Sequence, residues 1–172
     1  MNCQQTLVFS NYLRLPDGRI FKCAVGKAGI VTDKVEGDNG TPCGTLPFRN
    51  VLYRSDRLAR PATQLPIRAM VEADAWIDQP DHPDYNTHAY LPIAAGVSHE
   101  RMCREDNLYD VVAILGYNDD PVVPNKGSAI FMHVASENYG GTAGCVALSL
   151  SDLLEVLKVI RPGDYLVVQG DS

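Results

Sequence analysis

The chain has 172 residues, 45% hydrophobic and 21% charged, a profile that fits one soluble globular unit and leaves no room for a second full domain. Twenty-one acidic residues against fifteen basic ones give a net charge of −6, and no Lys/Arg cluster is longer than a dipeptide, which argues against electrostatic docking on nucleic acid or anionic lipid. A chain of this length buries roughly two-thirds of the surface its unfolded form exposes, so it needs neither disulfides nor metal to fold, and stapled mini-protein scaffolds are excluded.

The eleven prolines and fourteen glycines are spread along the chain, and the apolar runs between them are short. That is the pattern of short strands joined by turns, and it predicts a mainly β domain spanning 1–172 with a core over about 6–169. In chain order, strands are expected at 6–9, 19–25, 46–53, 67–71, 109–117, 128–134, 145–148 and 165–169. Most of them carry Val, Ile, Tyr or Phe, which suit a half-buried pleated surface. The Pro/Asp-rich stretch 78–84 reads as a long surface loop. A short helical turn is expected over 98–103, with Ser98 as cap and Glu100 in the first turn.

One segment reads clearly as a helix, over about 150–161. Leu150, Leu153, Leu154, Leu157 and Ile160 recur at helical spacing, Ser149 and Asp152 stand in capping relation before them, and Arg161-Pro162-Gly163 follows as a stop. The longest apolar runs, such as Val111-Val112-Ala113-Ile114-Leu115, fall far short of the ~18 to 20 residues a membrane span requires. The first ten residues show no basic leader and no small-residue cleavage site, so no secretory signal is expected there.

Five cysteines (Cys3, Cys23, Cys43, Cys103, Cys145) form an odd set without a C-x-x-C pair, which fits neither a complete disulfide framework nor a zinc ribbon. No metal site or organic cofactor is expected. Asp78, Asp81 and Asp84 echo a calcium loop yet lack its central glycine and terminal glutamate, and no nucleotide-binding glycine string occurs.

The informative stretch runs from Ser128 to Leu148. Alternation along its first strand puts Ile130, Met132 and Val134 on one face and Ala129, Phe131 and His133 on the other, so His133 lies off the most apolar side. The residues between His133 and Cys145 include Gly140, Gly141 and Gly144, enough freedom for the chain to fold back and bring imidazole and thiol together. A free thiol is only a few per cent thiolate at neutral pH, so a nucleophilic cysteine needs a nearby base or cation, and His133 is the natural partner. Backbone N–H groups of the turn Thr142-Ala143-Gly144-Cys145 can converge on a developing oxyanion. Taken alone, Cys145 reads as packing material and His133 as a structural histidine; their value lies in the pair.

The pattern of a histidine, about a dozen residues, then Thr-Ala-Gly-Cys-Val resembles the signature of the L,D-transpeptidase (YkuD-type) catalytic domain. The segments Gly37-Asp38-Asn39-Gly40-Thr41-Pro42-Cys43-Gly44, Val51-Leu52-Tyr53-Arg54-Ser55-Asp56-Arg57 and Leu115-Gly116-Tyr117-Asn118-Asp119-Asp120-Pro121 resemble a compact, single-domain branch of that family. The resemblance implies a β-sandwich enzyme of the periplasm or cell envelope, acting on donor and acceptor peptidoglycan stem peptides. Cys145 would be the nucleophile, forming a thioester with the diaminopimelate carbonyl of the donor. His133 would be the general base, oriented by the backbone carbonyl of Val134, with the Gly144 N–H in the oxyanion hole. Release of the thioester by an acceptor amine would make a 3,3 crosslink or a non-standard linkage such as 1,3; release by water would make the enzyme a carboxypeptidase or a crosslink- or protein-releasing hydrolase. A wall-binding module without turnover is the alternative outside enzymes. Covalent inhibition by carbapenems is implied as well.

Two positions depart from the commoner family pattern: Ala143 replaces a second histidine and Ala147 replaces an arginine. The catalytic duty of histidine therefore falls on His133, and Arg54 and Arg57 become the candidates to hold a stem-peptide carboxylate, which a guanidinium fork suits. Tyr117 and Asn118, at the end of the expected strand before the catalytic one, and His99 and Thr142 complete the candidate substrate-binding set.

Overall fold

The computed structural model describes residues 3–170. Its strands in chain order are β1 (Gln5–Val8), β2 (Tyr12–Arg14), β3 (Ile20–Ala24), β4 (Ile30–Val31), β5 (Thr41–Pro42), β6 (Gly44–Tyr53), β7 (Ile67–Ala69), β8 (Asp74–Ile77), β9 (His88–Tyr90), β10 (His99–Arg101), β11 (Val111–Leu115), β12 (Phe131–Val134), β13 (Val146–Leu148) and β14 (Tyr165–Val168). The helix α1 (Leu150–Val159) lies between the last two. The fold is mainly β, as the turn spacing predicts.

Nine strands form one sheet in the order β11-β12-β13-β3-β2-β1-β14-β6-β7, and a further pairing of β6 with β11 closes it on itself. The ten-residue β6 makes the closure possible. Its first half pairs with β14 and its second half with β11, with a register shift between Ile114 and Leu115. Enclosed by this folded sheet and by α1 is the main core, which includes Leu13, Val51, Val111, Met132, Leu148 and Leu157. Side chains of this kind each contribute roughly 1.5–3 kcal/mol on full burial. The small antiparallel sheet β10-β8-β9 stands apart from this ring. A second apolar cluster, with Leu52, Met70, Met102, Tyr109, Phe131 and Cys145, has Trp76 of β8 packed against it.

The expected helix forms with the expected cap: Ser149 Oγ accepts the Asp152 N–H at 3.1 Å, and Ile160 has already turned to extended backbone. All eight expected strands are present, several of them shorter than their apolar runs. The run 128–134 becomes a strand only from Phe131, because Ala129 sits at φ +52, a left-handed conformation that breaks the pleat. The helical turn expected over 98–103 is a correction. His99, Glu100 and Arg101 pair antiparallel with Ile77, Trp76 and Ala75, so the ladder with β8 overrides a local capping signal. Five further short strands, β4, β5, β8, β9 and β10, and the three-residue β2 are two to four residues long, too short for a period to announce them.

Candidate active site

Strands β12 and β13 run parallel, with Met132 opposite Val146 and His133 opposite Ala147. Alternation therefore sends Ile130, Met132 and Val134 into the main core, while Phe131 and Cys145 join the second cluster on the opposite face. His133 shares the face of Phe131. A cavity of about 630 Å³ opens over this face, and Cys145, His133, Ala147 and Thr142 all line it. Its far wall comes from β10 and the loops around it, including His99, Glu100 and Arg104.

His133 is buried, and its Nδ1 lies 2.8 Å from the carbonyl oxygen of Val134. A carbonyl can only accept, so Nδ1 carries the proton and Nε2 keeps a free lone pair. Burial pushes the imidazole down to about 4, outweighing the opposing hydrogen bond to Val134. It is neutral at pH 7. The edge of its ring meets the Tyr109 ring at 5.2 Å between centroids.

Cys145 is buried too, and burial pushes its thiol up to about 12. Its Sγ accepts the Phe131 N–H at 3.3 Å and donates to the Ala129 carbonyl at 3.1 Å. The left-handed Ala129 presents that carbonyl to the sulfur. Asn86, itself at positive φ, accepts the Ala129 N–H and the Trp76 indole N–H on one oxygen and donates to the carbonyls of Tyr117 and Asn118. This buried amide is fully used, and it fixes the Ala129 carbonyl against the sulfur. The resting site is thus a neutral thiol and a neutral base lining one cavity.

The turn before Cys145 is closed by its own threonine. Thr142 Oγ1 donates to the Cys145 carbonyl at 2.6 Å and accepts the Gly144 N–H at 3.1 Å. Backbone bonds from Thr142 N to Val25 O and from Lys27 N to Thr142 O tie the turn to the chain after β3. Gly144 is at φ +143, and a Cβ there would lie 2.9 Å from Gly40 O and 3.1 Å from Ile130. Only glycine fits both the angle and the space. Because the Gly144 N–H is spent inside the turn, it does not face the cavity as a free donor. The amides of Ala143 and Cys145 make no backbone hydrogen bond to another loop or turn among the described residues.

Residues 5–168 match the profile of the YkuD family, the L,D-transpeptidase catalytic domain. The chain belongs to the YkuD family. No curated protein matches it. The match spans nearly the whole chain, including the strands and the turn that line this cavity, and it makes the chain a transpeptidase-type domain. The family acts on peptidoglycan stem peptides and is typically associated with the cell envelope. Among the described residues, no helix of this YkuD domain is long and apolar enough to cross a membrane.

Of the sequence-predicted residues, Cys145, His133, Thr142 and His99 line one cavity, and Val134 holds the imidazole through its carbonyl. Arg54 and Arg57 do not line it. Arg54 makes a two-point pair with Asp56 and donates to the Arg104 carbonyl, and Arg57 reaches Asp110 and the carbonyls of Arg104, Glu105 and Asp106. Together they shape the loop that presents Arg104 and Tyr109 to the cavity. Asn118 is likewise a loop holder, bonded to Val123 and Gly127, while the Tyr117 hydroxyl donates to the Lys126 carbonyl. Sequence reasoning missed Arg104, Tyr109, Glu36 and Asp78 as lining residues. Arg104, Glu36 and Asp78 sit in loops without periodicity, where no local signal distinguishes them from a solvated surface, and Tyr109, expected as the first residue of the strand 109–117, lies in the turn before β11.

Proposed function

We propose that this domain is a peptidoglycan L,D-transpeptidase with Cys145 as nucleophile and His133 as general base. The observation that carries the reading is the locked tautomer: His133 Nδ1 is held by the Val134 carbonyl, and its free Nε2 shares a cavity with the Cys145 thiol. On substrate entry the thiol leaves the Ala129 carbonyl and gives its proton to Nε2 as Sγ attacks the L-centre carbonyl of a donor diaminopimelate. Negative charge on the carbonyl oxygen is met by the amides of Ala143 and Cys145, and the Gly144 amide joins only when its bond to Thr142 opens. The C–N bond to the terminal D-alanine then breaks, and His133 returns the proton to the departing amine. An acceptor amine attacks the thioester; a C–N bond forms, the C–S bond breaks, and the proton passes through His133 to the sulfur. A peptidoglycan substrate supports a location in the periplasm or cell envelope.

Incubation with disaccharide-tetrapeptide tests the reading directly. A crosslinked dimer is the expected product, and mass spectrometry of it identifies a 3,3 or a 1,3 linkage. Trimmed monomer alone would turn the reading to a hydrolase, and unchanged peptide that still binds would turn it to a wall-binding module.

A further inference from the structure

Three cations and three carboxylates line the cavity, and they are not equally free. Lys34 is paired with Asp38, Arg101 with Glu72 at 2.6 Å, and Arg104 with both oxygens of Asp106. None of those three partners lines the cavity, so each cation is neutralised from behind. The carboxylates are held differently. Glu36 accepts from the Tyr85 hydroxyl and Glu100 from the Tyr109 hydroxyl at 2.6 Å, both uncharged donors. Glu100 also has Arg104 Nη1 at 3.9 Å, a long contact. Asp78 Oδ1 is fully buried and has no hydrogen-bond partner.

A second, independent orphan stands beside them. Ser128 is 7% exposed and lines the same cavity, and its Oγ, beside a Tyr85 hydroxyl that already donates to Glu36, makes no well-formed hydrogen bond among the described residues. A buried acceptor left unpaired costs about 1–3 kcal/mol, and such a cost is recovered when a donor arrives. The three carboxylates also share one space: Glu100 is lifted above the ordinary carboxylate range chiefly by burial, with the charges of Asp78 and Glu36 adding to it. What this wall lacks is a cation with several N–H donors.

We propose that Glu36, Asp78 and Ser128, with Glu100 at their border, form an ammonium subsite that holds the amine of the acceptor stem peptide. The inference rests on the transpeptidase reading above and names the group its second substrate presents. Ser128 directly precedes Ala129, whose carbonyl accepts from the Cys145 thiol, and both Ser128 and Cys145 line the same cavity, so the subsite and the nucleophile open on one space. A primary ammonium offers three donors for the orphan oxygens of Asp78 and Ser128 and for Glu36. Before it attacks the thioester the ammonium gives one proton to the carboxylate of Glu36 or Asp78, which frees its lone pair, and water, being uncharged, is not gathered by the subsite in this way.

The test reads binding without turnover. In the Cys145→Ala protein, calorimetry compares a stem tetrapeptide with free amines against the same peptide with its amines acetylated. The free-amine form is expected to bind about tenfold more tightly, and Asp78→Asn and Glu36→Gln, made separately, should each shrink that ratio threefold or more. A ratio within twofold of unity in the parent, or one that survives both substitutions, would overturn the subsite. Failure of the transpeptidase reading shows elsewhere, as absence of a thioester on Cys145 in the unsubstituted enzyme given donor alone, and the binding ratio decides the subsite in either case.

Discussion

At the scale of single residues, catalysis here starts from neutral groups. An imidazole at about 4 and a thiol at about 12 cannot exist as a resting ion pair at pH 7, so the proton must move during attack. Acylation by a donor stem should therefore be flat across neutral pH and fall only as the pH drops through the range around 4 where His133 protonates. A rate that climbs through pH 7 to 9 would point instead to a pre-formed thiolate. His133→Ala should lower the acylation rate by about two orders of magnitude or more, since general-base assistance is typically worth 10²–10⁴-fold; single-turnover acylation measures it, and near-normal rates would make His133 a packing residue. This pair was legible in the sequence because both residues stand at strand ends joined by a Gly-rich turn. The Thr142 hydroxyl that consumes the Gly144 amide was not, since a side chain's choice between donor and acceptor depends on folded geometry.

Loops and short strands set the cavity's far wall at the next scale up. Arg57 alone reaches one carboxylate and three backbone carbonyls of 104–110, and it sits at that loop's base rather than in the cavity. Arg57→Ala should cost about 2 kcal/mol of stability, in line with charge-assisted bonds lost from a partly buried group, and should raise hydrogen exchange in that loop. A denaturation midpoint unchanged within error would show that the clamp is dispensable. Strands with a clear apolar run, β11 and β12 above all, could be read directly. The small sheet could not. Its strands β8, β9 and β10 are only three or four residues long, too short to show a period, and β8 and β9 are held by buried Asp74, whose oxygens take two bonds from Arg68, one from His88 and one from the Val71 N–H. Pairing of that kind is tertiary, so a capping pattern at Ser98 pointed to a helix that the β8 ladder prevents.

Over the whole molecule, the sheet closed by β6 supplies the rigidity against which one buried imidazole can be kept uncharged. Its folded value of about 4 lies below the ordinary 6.5, so between these the unfolded chain binds more protons than the folded one. Stability from this group is complete above about pH 6.5 and is lost as the pH falls toward 4, by roughly 3 kcal/mol over that span. Denaturant melts from pH 7 to pH 4 should show this slope, and it should flatten in His133→Gln; equal slopes in both proteins would assign the acid sensitivity to other groups. The mainly β architecture and the single helix were legible because turn spacing and a 3.6-residue period survive in one sequence. Closure of the sheet through β6 and β11 was not, since it depends on which distant strands meet. For the same reason the acidic wall of the cavity, drawn from Glu36, Asp78 and Glu100 on separate elements, became visible only in three dimensions. The most direct trial of the central claim is the intact mass of the protein after exposure to a carbapenem, whose β-lactam carbonyl stands in for the acyl donor. One added drug mass, mapped to Cys145 and missing in Cys145→Ala, is the predicted result, whereas an unchanged mass after prolonged exposure, or an adduct that persists in the alanine variant, would contradict it.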